Sequence, residues 1–207
     1  MNVLHRDPLV LLIEDFLQPG EAEHMIAAAR PLMERSGIFA DGAKTAYSEA
    51  RTSSNAFLDD GGDHVIRCIE ERASLISNVP VNYTEPLQVV WYRRNQEFRP
   101  HHDYISAKNL KHDYWAHIGQ RYVTMLVYLN EPAKGGNTLF PTLKLDVPPK
   151  KNAALFWYNI NLDGVEDERT LHGGSPVDEG EKYAINIWQR KMLPHVQAIL
   201  DASVADD

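Results

Sequence analysis

Three side chains that could share one metal ion stand out first. His101, His102 and Asp103 follow a proline, and His172 lies much later in a glycine-rich stretch. Side chains alternate faces in an extended segment, so His101 and Asp103 point the same way while His102 points oppositely. Two imidazoles and one carboxylate can hold Fe(II) on one side and leave its other positions open. We therefore predict His101, Asp103 and His172 as metal ligands. For His102 we predict packing or a hydrogen bond beside the site.

A lysine beyond His172 indicates what else the site would bind. Lys182 begins a strand-like segment, on the face that carries polar groups. An ammonium group that faces a cavity is costly unless an anion meets it. A cosubstrate that bears a carboxylate would supply this anion. The sequence thus predicts a metal site that also binds a small acidic molecule.

Three alternating segments are predicted to be the strands around this site. They are residues 87–92, 122–129 and 182–190, and each has one mostly apolar face and one face that mixes aromatic and polar groups. A sheet covered by helices on one side and lining a polar pocket on the other has this pattern. An edge sheet whose mixed face meets water would have it too. Apolar runs at 9–13 and 153–158 predict two further buried strands.

Two amphipathic helices are predicted before these strands. Apolar residues recur with helical spacing from Ala22 to Met33, where Pro31 would kink or end the helix, and again from His64 to Ser77. Loops are predicted for residues 36–49 and for an insert at 105–120. The helices would form a layer against the sheet.

Composition argues against several classes of partner. The chain has 207 residues and a net charge of −8, and an acidic surface disfavours a nucleic acid backbone. The single cysteine, Cys68, has no intramolecular disulfide partner and is predicted to be a small core residue. The apolar run at 9–13 is too short for a signal peptide or a membrane span. We expect a cytoplasmic protein with no nucleic acid or membrane partner.

Six short motifs follow one another along the chain. They are Gln88-Val89-Val90-Trp91-Tyr92, Pro100-His101-His102-Asp103-Tyr104, the segment 121–130, Gly135-Gly136-Asn137-Thr138-Leu139-Phe140-Pro141, the segment 171–177, and the segment from Gly180-Glu181-Lys182-Tyr183 to Trp188. Their content and order resemble the prolyl 4-hydroxylase family of Fe(II)- and 2-oxoglutarate-dependent dioxygenases. The resemblance covers about Leu9 to Arg190.

This resemblance implies a mainly β chain with some α-helix. The fold would be a double-stranded β-helix, a jelly roll of two facing sheets supported by N-terminal helices. We expect one domain over residues 1–207. Its parts would be a helical support region at 1–80, a jelly-roll core at 81–191, and a C-terminal helix and tail at 192–207 that is frayed from Ala202.

The resemblance also implies roles for the cosubstrate contacts. Lys182 matches the residue that pairs with the far carboxylate of 2-oxoglutarate, and Tyr92 and Thr124 match positions that hydrogen-bond the same molecule. Trp188 stands where the family has an aromatic residue beside the active site. The implied reaction uses O2 and 2-oxoglutarate, releases succinate and CO2, and hydroxylates an unactivated C–H bond. Ascorbate is implied as the reductant that rescues oxidised iron.

The family implies a proline residue in a peptide or protein as the substrate. Arg51-Thr52-Ser53 resembles a motif in a loop that closes over such peptides, although an ordinary polar loop has the same composition. Arg51 and Trp188 are the candidate substrate contacts. The insert, with Trp115, would flank the same mouth and either grip an extended peptide or pack against the body.

Other interpretations stay open at this level. The same iron chemistry could act on a free amino acid or another small molecule, and a jelly-roll module could bind metal without catalysis. His112 and His117 are expected to be solvated, with a second metal site as the alternative. The sequence leaves both a monomer and a homodimer possible.

Overall fold

Antiparallel strands are the main regular structure of the chain. The computed structural model describes residues 1–39 and 45–205. Its strands are β1 (Asn2–Arg6), β2 (Leu9–Ile13), β3 (Glu34–Arg35), β4 (Ile38–Phe39), β5 (Thr45–Ala46), β6 (Ser54–Leu58), β7 (Leu87–Tyr92), β8 (Phe98–His101), β9 (Gln120–Tyr128), β10 (Lys134–Gly135), β11 (Thr138–Phe140), β12 (Leu145–Val147), β13 (Ala154–Tyr158), β14 (His172–Gly174), β15 (Val177–Glu179) and β16 (Lys182–Lys191). Its α-helices are α1 (Glu21–Ala29), α2 (His64–Ser77), α3 (Ala107–Leu110) and α4 (Pro194–Ala205).

A large and a small antiparallel sheet form the framework. The large sheet has the strand order β1-β2-β13-β9-β16-β7-β6-β3, and the small sheet has the order β12-β11-β14-β8. The pairs β10–β15 and β4–β5 stand outside both sheets. A buried apolar cluster joins the inner faces of the two sheets. Two sheets closed face to face in this way form a jelly roll, and the predicted fold class is confirmed.

Alternation along the strands divides the core into two layers. In β7, Leu87 and Val89 pack on the helices, whereas Val90 and Tyr92 pack between the sheets. Strands β9 and β16 divide in the same way, with Val123, Met125, Val127, Tyr183, Ile185 and Ile187 in the helical layer and Leu126, Tyr128 and Ala184 between the sheets. The mixed faces therefore line an interior space and are mostly buried, with Asn186 half-buried.

Local sequence sets the ends of the two predicted helices. Helix α1 ends at Ala29, and Pro31 lies in the 3-10 turn that follows, because proline cannot continue α-helical hydrogen bonding. Helix α2 begins where the Asp63 carboxylate accepts hydrogen bonds from the backbone N–H groups of the first turn. It ends at Asn78, which adopts a left-handed conformation with φ 58°.

The first 80 residues carry more strand than predicted. Strands β1, β2, β3 and β6 all extend the large sheet, so this region is not only a helical support. Strand β1 pairs with the neighbouring β2, but β2, β3 and β6 also pair with strands that are distant in sequence, which a local pattern does not reveal. The loop predicted for 36–49 contains the short pair β4 and β5, and residues 40–44 lie outside the described residues.

Three further predictions are corrected by the structure. The insert at 105–120 is not simply a loop, because it contains α3 and a 3-10 turn at Ala116–Ile118. The tail is not frayed from Ala202, since α4 continues to Ala205 and packs Val196 into the core. Cys68 is half-buried and not a core residue, with Sγ 3.5 Å from Nε2 of His64 on the same helix.

Among the described residues, no helix has the length and apolar character needed to cross a bilayer.

Candidate active site

Two adjacent strands bring the predicted histidine ligands together. Strands β8 and β14 are antiparallel neighbours that place His101 opposite His172. A Cβ atom on Gly173 would lie 2.8 Å from the carbonyl oxygen of Phe98. Glycine is therefore needed here for the two backbones to approach each other beside the histidine pair.

The donor atoms of the three predicted ligands converge. Nε2 of His101 lies 3.6 Å from Oδ1 of Asp103, and Nε2 of His172 lies 3.5 Å from Oδ2. One ligand atom from each residue lies within 4.8 Å of the others. Nδ1 of each imidazole lies 2.9 Å from a backbone carbonyl oxygen, that of Arg99 or Thr170. A carbonyl can only accept, so Nδ1 carries the proton and the Nε2 lone pair is free for a metal.

The protonation states suit a divalent metal. Burial, and then the neighbouring His172, lowers the pKa of His101 to about 3. Burial opposes ionisation of Asp103, but its neighbours outweigh burial and lower its pKa to about 2. These neighbours are His172, His101, Arg121 and the hydroxyl of Thr124, which donates a hydrogen bond. At neutral pH, His101 is neutral and Asp103 is a carboxylate, which are the coordinating forms.

A chain of hydrogen bonds holds Asp103 in place. The Thr124 hydroxyl donates to Oδ2 of Asp103 at 2.8 Å and accepts from Nδ2 of Asn159 at 2.9 Å. Oδ1 of Asn159 accepts from the indole N–H of Trp157, whose ring lies 4.6 Å from that of His172. Thr124 thus contacts a metal ligand, and its predicted contact with 2-oxoglutarate stays a prediction. Sequence reasoning missed Trp157, which lies near the end of the apolar strand β13, and Asn159, which lies just beyond that strand.

Lys182 lies in the pocket that the three ligands line. The residue is 3% exposed, and Nζ donates to the carbonyl oxygen of Gly136 at 2.7 Å. The rings of Tyr92 and Tyr128 lie 5.7 and 5.4 Å from the amine. Burial lowers the pKa of Lys182 to about 7, and no carboxylate of the described residues offsets this effect. An anionic ligand would provide the missing countercharge.

The pocket opens into a wider groove. Phe98, His101, Asp103 and Trp188 line both spaces. The groove has a volume of about 820 Å³, and its walls also carry the aromatic residues Tyr47, Phe57 and Tyr104 and the cationic residues Arg35, Arg51 and Arg121. The site therefore has a narrow compartment at Lys182 and a broad one outside the metal ligands.

Arg51 is buried in the wall of the groove. Its guanidinium donates to Oε1 of Gln88 at 3.0 Å and to the Gly37 carbonyl at 3.3 Å, and it covers the Phe98 ring at 4.7 Å. The same Gln88 oxygen accepts from Nδ2 of Asn186, which lines the pocket. The structure thus places Arg51 beside the site, and its predicted contact with substrate stays a prediction. Gln88 and Asn186 were missed, although both lie on the mixed faces of predicted strands.

A buried ion network attaches the insert to the groove. Glu85 accepts hydrogen bonds from Arg121 at 2.7 Å and from Arg190 at 2.6 Å, and Arg190 lies 2.6 Å from the Asp113 carboxylate. The Arg121 guanidinium lies 3.6 Å from the centroid of the Trp188 ring. Burial opposes ionisation of Glu85, but the two arginines outweigh it and lower its pKa. Arginines within apolar strands are the signal that could have found this network.

His102, His112 and His117 lie where the sequence predicted. His102 bonds to the Glu168 carbonyl at 3.1 Å and stacks on Tyr104, away from the metal ligands. His112 and His117 are exposed. Within the described part of the chain, the one metal-binding cluster is that of His101, Asp103 and His172.

These observations test whether iron and an acidic cosubstrate fit. Two imidazoles with free Nε2 atoms and one ionised carboxylate form the facial donor set of non-haem Fe(II) oxygenases. The buried Lys182 amine supplies a site for an anion beside that donor set. A jelly roll with this donor set and this lysine defines the class of Fe(II) oxygenases that use an acidic cosubstrate.

Comparisons with known proteins agree with this class. The model of the 2OG-Fe(II) oxygenase superfamily matches residues 87–190. Prolyl 4-hydroxylase 1 of Arabidopsis thaliana is 35% identical over 207 residues, which cover 92% of this chain and 71% of that protein. The chain therefore belongs to the prolyl 4-hydroxylase family of 2OG-Fe(II) oxygenases. It is a 2-oxoglutarate-dependent dioxygenase, with Fe(II) as its metal and O2 as its second cosubstrate.

Solved structures show the same fold. The 2OG complex of the viral collagen prolyl hydroxylase from Paramecium Bursaria Chlorella virus-1 has a TM-score of 0.70 at 28% identity, over 88% of this chain and 96% of that one. A prolyl hydroxylase from Trichoplax adhaerens, solved with a peptide fragment of the hypoxia inducible factor oxygen degradation domain, has a TM-score of 0.64 at 19% identity. It covers 94% of this chain and 86% of that one, and it supports the fold alone.

Proposed function

We propose that this chain hydroxylates proline residues in a peptide or protein. The observation that carries the proposal is the groove of about 820 Å³ that meets the narrow pocket at His101 and Asp103. A small dicarboxylate needs only the pocket, whereas the groove offers room for a polypeptide. Its aromatic walls suit a proline-containing segment, because such segments dock on aromatic surfaces. The relative at 35% identity carries the name prolyl 4-hydroxylase.

The pocket residues would hold the cosubstrate and the metal. His101, Asp103 and His172 would bind Fe(II) on one side, and Lys182 would pair with the far carboxylate of 2-oxoglutarate. Tyr92 lies near the Lys182 amine, where its hydroxyl would contact the same molecule. When bound, iron and 2-oxoglutarate supply an oxidant from O2 that hydroxylates a C–H bond, and 2-oxoglutarate leaves as succinate and CO2.

The protein's own contribution is positioning and exclusion of water. The Thr124 hydroxyl restrains Asp103, so the carboxylate keeps the orientation that coordination requires. Buried apolar side chains, among them Val90 and Leu126, line the pocket and keep water from the Lys182 ion pair. Charge-assisted hydrogen bonds strengthen as the local dielectric falls, so this dry pocket favours the dianionic cosubstrate. The Trp188 ring forms the wall shared with the groove, where the substrate ring would lie.

Mass spectrometry of candidate peptides tests the proposal. The purified protein would be incubated with Fe(II), 2-oxoglutarate, O2 and proline-containing peptides, with matched peptides that carry alanine in place of proline. We expect the proline peptides to gain one oxygen atom, with succinate formed in equal amount. Free proline in a parallel reaction tests the small-molecule alternative. Oxidation of free proline without oxidation of any peptide would contradict the proposal.

We further propose that ascorbate keeps the iron ferrous and that the protein acts in the cytoplasm. The family resemblance supports the first statement and the single cysteine supports the second. The role of ascorbate is tested by measuring 2-oxoglutarate turnover without peptide, in the presence and in the absence of ascorbate. We expect activity to decay faster without ascorbate. Equal decay in both reactions would contradict it.

A further inference from the structure

The two metal-binding imidazoles are held in different ways. His172 is 6% exposed and contacts the rings of Trp157 and Phe140, whose centroids are 4.6 and 5.7 Å from its own. His101 is more open, with 23% of its side chain exposed. It also ends β8, the edge strand of the small sheet, which pairs with β14 and, at Phe98, forms an isolated antiparallel bridge to Arg51. This pairing fixes the β8 backbone, so a restraint on the more open His101 ring must come from neighbouring side chains.

One ring supplies that restraint. The Phe98 ring lies parallel to the His101 imidazole, with 3.5 Å between centroids and 17° between planes. Both residues belong to β8, at its two ends. Parallel rings in contact limit rotation of the imidazole about its side-chain torsions. The His101 ring is restrained further by the hydrogen bond between its Nδ1 and the Arg99 carbonyl and by contact with the His172 ring, 4.5 Å between centroids.

The Phe98 ring is itself fixed by a buried cation. The Arg51 guanidinium lies 4.7 Å from the Phe98 centroid, a distance at which a cation is attracted to the ring. Arg51 is 7% exposed, and its hydrogen bonds to Gln88 and to the Gly37 carbonyl leave it little freedom. Arg51, Phe98 and His101 thus form a stack that runs from an arginine fixed in the groove wall to a metal ligand.

We propose that Phe98, held by Arg51, is a positioning residue for the metal ligand His101. The stack fixes the direction of Nε2, and metal affinity depends on that direction. The inference rests on the iron site and not on the identity of the substrate. It assigns Phe98 a role in metal binding in addition to its place in the groove wall.

Metal affinity of the apo protein tests the proposal without any turnover. Binding of Co(II), a stable substitute for Fe(II), would be measured by titration for the parent, Phe98→Leu, Phe98→Tyr and Phe156→Leu. Phe156→Leu is the matched control, because Phe156 is 2% exposed in the helical layer on the other face of the large sheet. Its loss perturbs packing without touching the metal ligands.

We expect Phe98→Leu to weaken Co(II) binding by about tenfold or more, the range found when groups that orient metal ligands are removed. Phe98→Tyr keeps the ring, so its Co(II) affinity should match that of the parent. Phe156→Leu should bind like the parent even where its thermal midpoint falls. The Co(II) ligand-field spectrum should change in Phe98→Leu alone.

Parental affinity and spectrum in Phe98→Leu would overturn the proposal. So would an equal loss of affinity in Phe98→Leu and Phe156→Leu, because the effect would then follow packing. If Phe98→Leu does not fold, Arg51→Met decides. Weaker Co(II) binding in that variant supports the stack and parental binding overturns it. Failure of peptide hydroxylation would leave these affinities unchanged, so the two proposals fail separately.

Discussion

Replacement of Lys182 by methionine should stabilise the protein without its cosubstrate. The amine is buried with the Gly136 carbonyl as its hydrogen-bond partner, and burial lowers its pKa from the ordinary 10.5 to about 7. Methionine keeps the unbranched apolar stem and removes the charge. The protein would no longer hold a cation that lacks its countercharge.

The size and pH dependence of this gain follow from the two pKa values. Between about pH 7 and pH 10.5 the unfolded chain binds more protons at Lys182 than the folded chain does. The free energy of unfolding of the parent therefore rises with pH across this window, and the penalty is fully present below it. At about 1.4 kcal/mol for each tenfold change in the ionisation equilibrium, the penalty is at most about 5 kcal/mol. Methionine should recover part of it at pH 6 and none at pH 10.5.

Denaturant unfolding at pH 6 and at high pH, with and without 2-oxoglutarate, measures both effects. A ligand at a hundred times its Kd adds about 2.7 kcal/mol to the stability of the parent, and we expect Lys182→Met to show no such gain. Lys111→Met, at an exposed position, is the control and should behave like the parent. Lower stability of Lys182→Met than of the parent at pH 6, or a 2-oxoglutarate effect that persists in this variant, would show that Lys182 is not an unpaired buried cation that binds the cosubstrate.

Three further substitutions test the parts that support the site. Thr124→Val removes the hydroxyl that donates to Asp103, so Co(II) affinity should fall about tenfold or more, and parental affinity in a titration would contradict this role. Gly173→Ala places a Cβ 2.8 Å from the Phe98 carbonyl, so strands β8 and β14 must separate. We expect about 1–3 kcal/mol lower stability and weaker metal binding, and an unchanged denaturant midpoint would refute the clash. In Asp113→Ala, Arg190 and Arg121 must share the Glu85 carboxylate. Stability in the same unfolding assay should therefore fall by about 3–5 kcal/mol, which is more than substitution of an exposed residue would cost. A loss below about 1 kcal/mol would show that the ion network does not depend on Asp113.

The parts of the fold with strong local periodicity could be predicted from the sequence. Strand β7 and helix α2 have the predicted bounds, because alternation and helical spacing report directly on which side chains are buried. Strand β6 was missed because the apolar Phe57 is on its exposed face, so its sequence does not alternate, and because its place is set by pairing with β7. Pairing between distant segments depends on tertiary packing, which no single short window encodes.

The metal site could be predicted for a related reason. His101 and Asp103 share a face in any extended segment, and the glycines after His172 signal a close approach of strands. The support around them could not be predicted. Asn159 takes its role from a partner, Thr124, that becomes its neighbour only when β13 pairs with β9. The stack of Phe98 on His101 likewise depends on side-chain positions that alternation alone would place on opposite faces.

The iron site depends on His101, Asp103 and His172 holding one iron together. Anaerobic equilibrium dialysis against Fe(II) would measure bound iron in the parent and in His101→Ala, Asp103→Ala and His172→Ala, each checked for its fold by circular dichroism. We predict one Fe(II) per chain in the parent and no tightly bound iron in any folded variant. A folded variant that keeps one tightly bound Fe(II) per chain would contradict the account.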